Sequence, residues 1–236
     1  MNIKDLFGIY NLRVRLHTGL LFLTPLLIQL YLFIPEVRTL NNTLFIVIIT
    51  FILTGVIIMF LRNRVKNTIK KCYPHLLPAQ NFLLPSNDAI DPITKKRYYY
   101  FLEHNVTGFE VKTEGVDMYD STESAIKWLI SRTRDPHKFP LVFEENMNFG
   151  LSYNLLALRP YAIGFLATNF IVLTINTIAT SIRLEYVTLP FNNILALTFI
   201  FLFLLIWIFL VNQKSVISNG ENYARALLST LDSSQL

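Results

Sequence analysis

Four stretches of 18 to 21 residues, Leu16–Ile34, Thr43–Leu61, Ala162–Ile182 and Ile194–Val211, contain no Asp, Glu, Lys or Arg. Each is long enough to carry a helix across about 30 Å of hydrocarbon. Lipid gives the backbone no hydrogen-bond partners, so a crossing segment must be helical and an open sheet is excluded. The short connections Pro35–Asn42 and Arg183–Asn193 turn the four stretches into two antiparallel hairpins. The expected fold class is membrane α-helical: two transmembrane hairpins, four spans, flanking a small α+β cytoplasmic domain. The expected organisation is an interfacial segment (1–15), a first hairpin (16–61), an insert (62–160), a second hairpin (161–211) and a tail helix (212–236).

Only 16% of the residues are charged, against about 25% in soluble domains, which argues against a water-soluble globule. The net charge of +5 suits nucleic-acid affinity or a cytoplasmic lysine and arginine excess. Position decides. The hairpin tips hold only Arg38 and Arg183 of the 21 Lys and Arg. The positive-inside rule therefore places both termini and the insert in the cytoplasm. No small-residue cleavage site follows the first apolar block, so a cleaved signal peptide is not expected. Ile3, Leu6, Phe7, Tyr10 and Val14 repeat at helical spacing, which suits an interfacial helix, with a frayed tail as the alternative. The single cysteine, Cys72, excludes an internal disulfide framework and a cysteine-rich metal site.

Between the hairpins, Cys72–Pro160 has the texture of a small folded domain. Pro74, Pro78 and Pro85 predict an irregular loop. Tyr98–Leu102 and Phe109–Glu114 read as strands joined by a hairpin loop at His104–Gly108, and Phe139–Phe143 as a further strand. Asp120 with Glu123 predicts a helix start, followed by the apolar stripe Ala125, Ile126, Leu129 and Ile130. Met147–Leu158 reads as a helix that either bends at Arg159–Pro160 into the third span or precedes a new helix begun by that proline. Tyr223, Ala224, Leu227, Leu228 and Leu231 form one apolar face near the carboxy terminus. So short a helix needs a docking partner, in the insert or in a neighbouring subunit.

Polar residues within the spans are the first functional candidates. Asn169, Asn176, Thr180 and Arg183 fall on one face of the third span. They either hydrogen-bond neighbouring helices or line a water-filled path in an oligomer, since four helices alone enclose too little space. Thr18, Pro25 and Gln29 share a face of the first span, and Thr43, Thr50 and Thr54 a face of the second; the fourth span reads as lipid-facing. In the insert, Lys95, Lys96, Arg97, Tyr98, Tyr100, Arg132, Arg134 and Lys138 combine cations for phosphate with rings for a base. The same residues suit anionic lipid headgroups, plain solvation or core tyrosines. No catalytic or metal-binding constellation is recognisable, no cofactor is implied, and an enzyme is not expected.

The layout resembles that of the small four-span membrane effectors of bacterial antiphage systems that signal with nucleotides. Asn148-Phe149-Gly150 through Leu158-Arg159-Pro160, and Tyr223-Ala224-Arg225-Ala226-Leu227-Leu228, read as motif-like segments within that layout. The resemblance implies a homo-oligomeric, ligand-gated pore or membrane-perturbing effector of the bacterial inner membrane, its insert sensing a nucleotide or oligonucleotide. A non-conducting scaffold that holds a cytoplasmic protein partner at the membrane is the alternative.

Overall fold

The computed structural model describes residues 14, 16–112, 116–183, 190–233 and 236, the side chains of 58 and 183 aside. The expected interfacial helix at 1–15 lies almost wholly outside these residues. Every regular element among them is helical, and none is a strand. The chain runs through α1 (His17–Phe33), a 3-10 turn (Pro35–Arg38), α2 (Leu40–Cys72), α3 (Pro78–Phe82) and α4 (Pro92–Asn105). It continues through α5 (Val116–Arg132), α6 (Pro140–Arg183), α7 (Phe191–Leu205) with a π turn at Ile206–Leu210, α8 (Gln213–Ser229) and a final 3-10 turn.

The α+β expectation is therefore overturned. Tyr98–Leu102 lies inside α4, because Asp91 accepts the Thr94 amide at 2.9 Å as an N-cap and Pro92 occupies the first turn. Phe109–Lys112 is irregular, residues 113–114 fall outside the described part, and Phe139–Phe143 enters α6. In the segment 104–108, α4 ends at Asn105, and Gly108 beyond it has a φ of +81°, the left-handed conformation that glycine adopts without strain. Pro78 starts α3 where an irregular loop was expected. Pro160 lies inside the continuous 44-residue α6, so no new helix begins there.

The four-span expectation is corrected too. Three helices are long and apolar enough to cross a membrane, with windows at Leu40–Ile57, Pro140–Ile182 and Phe191–Leu210. The chain is a membrane protein on that ground. α1 is apolar, but its 17 residues fall short of the same length.

Two compact units divide the chain: Met1–Thr68 with Leu151–Ser215, and Ile69–Gly150 with Val216–Leu236. The first has a core of Leu61, Leu158, Ala162, Leu166, Ile200, Trp207 and Val211. Ala196, Ile200 and Trp207 give α7 a fully buried stripe, so it is not simply lipid-facing. In the second unit, Ala224, Leu227, Leu228 and Leu231 pack with Leu83, Leu102, Ala125 and Leu129. The tail is thus part of that core. Burial of such a face stabilises a helix that would be marginal alone.

Candidate functional site

Threonine hydroxyls inside α6 have an available acceptor in the carbonyl four residues back. Thr174 bonds Phe170 at 2.7 Å, Thr177 bonds Leu173 at 2.7 Å, and Ser181 bonds Thr177 at 2.9 Å. Thr177 is buried, and the Asn193 amide at the start of α7 donates to its Oγ1 at 2.8 Å. Asn192 donates to Leu32 O of α1 at 3.1 Å. These bonds tie helices of the membrane unit together, and Asn169, Asn176 and Thr180 are not among the described residues that make them. Asn169 and Thr180 are half-buried and Asn176 is exposed; none of the three hydrogen-bonds another described residue through its side chain. Arg183 closes α6 and its side chain lies outside the described part.

The stripes on the first two apolar segments face protein only in part, since Gln29 is half-buried and Thr43 exposed. Thr18 and Pro25 are buried in α1, with Thr18 donating to Val14 O at 2.7 Å; Thr50 and Thr54 are buried in α2. Gly19 meets Thr54 so closely that an added Cβ has no room. Arg38 engages the end of α1, its guanidinium donating to Tyr31 O at 3.1 Å and Leu32 O at 3.4 Å. A cation suits that position because the last carbonyls of a helix lack internal donors. At another point of the unit, Arg159 donates to Trp207 O at 3.2 Å and Ile208 O at 3.0 Å, carbonyls of the π turn.

The insert candidates separate into structural and exposed residues. Lys95 is buried and its ammonium donates to Leu84 O at 2.9 Å and to Asn87 O. Burial pulls its pKa down, and Asp88 opposes that shift. Arg97 pairs with Asp232 at 3.0 Å. Tyr98 is in the core, where burial pushes its hydroxyl pKa up. Lys96 and Tyr100, four residues apart, are exposed on α4, and the Tyr100 and His104 ring centroids lie 4.1 Å apart. Arg132 covers the Trp128 ring at 5.5 Å; Arg134 and Lys138 are exposed. Among the described residues no hydrogen bond, ion pair or ring contact joins the α4 candidates to Arg132, Arg134 or Lys138. Six of the eight thus remain on the surface, Arg97 among them with its ion pair, and the structure does not gather them into one pocket.

Sequence reasoning missed a second cluster in this unit. The Tyr73 hydroxyl lies 3.2 Å from Val216 O and 3.1 Å from Ile217 O, and its ring meets Phe149, which stacks on Tyr223. Burial raises the Tyr73 pKa well above the ordinary phenol range, with smaller contributions from Cys72 and Glu221. The contact depends on Gly220 of α8, where a Cβ would strike Tyr73. A glycine within an apolar stripe is the one sequence feature that points to such close packing.

No group of three or more His, Cys, Asp or Glu side chains among the described residues is placed to hold a metal ion. No family model, curated protein or solved structure matches the chain.

Proposed function

We propose that the chain is a homo-oligomeric membrane protein whose copies together enclose a polar, ion-permeable path lined by α6. The observation that carries this reading is Asn176, a carboxamide exposed on an apolar helix, beside half-buried Asn169 and Thr180. An unpaired amide facing hydrocarbon is costly, and an adjoining copy with water between the two removes that cost. Within the chain, Thr177 and Asn193 make the helix-to-helix tie, which leaves the asparagine stripe available.

Sixteen of the 21 Lys and Arg lie in residues 62–160 and 212–236, and the positive-inside rule puts these segments in the cytoplasm. There the exposed candidates Lys96, Tyr100, Arg132, Arg134 and Lys138 are the residues to meet a nucleotide or oligonucleotide that gates the path. The bacterial antiphage setting followed from a four-span layout; with three full-length spans, that support is gone.

Single-channel recording in planar bilayers tests the reading. Wild-type protein should give discrete currents, and Asn169→Leu/Asn176→Leu should abolish them while the complex stays assembled. Silent wild-type protein, or loss of assembly with the currents per complex intact, contradicts it. The second reading, a non-conducting scaffold for a protein partner, is favoured by one fact: Lys95, Arg97 and Tyr98 make contacts that hold their own unit together.

A further inference from the structure

We propose that Arg62, Arg64 and Lys66, at the end of the apolar run of α2, form a docking surface for the phosphate headgroups of anionic phospholipid. The inference rests on the membrane reading and not on conduction. The apolar stretch ends at Leu61, and three of the next five residues are cations, all exposed. Contacts within the unit fix this level as the membrane surface. The Arg64 guanidinium lies 5.8 Å from the centre of the Tyr161 ring, and Phe60 meets that ring edge-on at 5.8 Å. Arg159, two residues before Tyr161, reaches the π turn where α7 ends. Three helices thus change from apolar to polar at one level, with a tyrosine there, as at a headgroup layer.

No carboxylate among the described residues answers these cations. Arg62, Arg64 and Lys66 form no ion pair among the described residues, and the one described carboxylate of this unit, Glu36, precedes α2 at its other end. On the helical wheel Arg62 and Lys66 continue the face of Leu44, Ile48, Ile52 and Met59, which are 55%, 58%, 60% and 76% exposed. One face therefore offers an apolar track that leads to two cations, the shape of an acyl chain with its phosphate. Long basic side chains at such a position reach outward while their stems stay apolar. A free phosphate has no use for the track.

The full chain in a non-ionic detergent, mixed with dioleoylphosphatidylglycerol or dioleoylphosphatidylcholine and examined by native mass spectrometry, tests this. Wild-type protein should retain the glycerol lipid in preference to the choline lipid, less so as salt rises. Arg62→Gln/Arg64→Gln/Lys66→Gln should lose the preference, at about fivefold per charge, while Arg62→Lys/Arg64→Lys and Lys96→Gln/Lys127→Gln keep it. If the triple variant does not purify, Arg62→Gln and Lys66→Gln are each expected to lose about fivefold. Equal retention of both lipids by wild type, an undiminished preference in the variants, or displacement of the lipid by millimolar inorganic phosphate would overturn the proposal. Silence in bilayer recordings of the same preparation would count against conduction alone.

Discussion

Lys95 and Lys96 are adjacent in sequence and opposite in role. The Lys95 ammonium is buried against Leu84 O and Asn87 O, whereas Lys96 is exposed. Lys95→Met should cost about 1–3 kcal/mol by leaving buried carbonyls without a donor, and Lys96→Gln within about 0.5 kcal/mol of nothing; denaturant titration of the full chain reads both. Tyr99 gives a pH test. Its hydroxyl donates to Leu83 O at 2.7 Å, and burial pushes its pKa up to about 12. The unfolded chain releases that proton at about pH 10. The stability contributed by the protonated phenol is therefore complete below about pH 10 and is lost as pH climbs toward 12. Tyr99→Phe should show a shallower fall of Tm between pH 10 and 12 than wild type; an identical slope contradicts the assignment.

At the scale of elements, α1 meets α2 closely where Gly19 faces Thr54. Gly19→Ala should cost about 1–3 kcal/mol through overpacking. Thr54→Ala should restore most of that loss, because the Thr54 hydroxyl is buried without a hydrogen-bond partner among the described residues. Thermal unfolding of the two single variants and the double variant measures the coupling. The helices of the insert were legible to unequal degrees. The stripe Ala125, Ile126 and Leu129 reads directly as the buried face of α5. The tyrosine run of α4 does not, because aromatic residues favour strands and mask the buried positions Lys95, Tyr98 and Leu102, which recur at helical spacing. The capping Asp91-Pro92 was the local feature that outweighed them. Pro160 misled in a similar way: proline usually ends a soluble helix, whereas membrane helices tolerate it because neighbours re-satisfy the freed backbone.

At the scale of the whole molecule, charge-free length identified the apolar segments of the two larger membrane helices and of α7, and hence a membrane protein. It overcounted by admitting α1, whose helix stops at 17 residues. The asparagine stripe could be located from spacing alone, but spacing is silent on which polar residues tie helices together. That role fell to Thr177 and Asn193, which α6 and α7 bring together only in three dimensions. The stripe left over is what calls for association of copies. The mass of the full chain in lipid nanodiscs, by light scattering with lipid subtracted, tests it most directly. A discrete multiple of the 27.4 kDa chain is expected in every preparation that conducts. Conducting particles that each contain a single 27.4 kDa chain would contradict it.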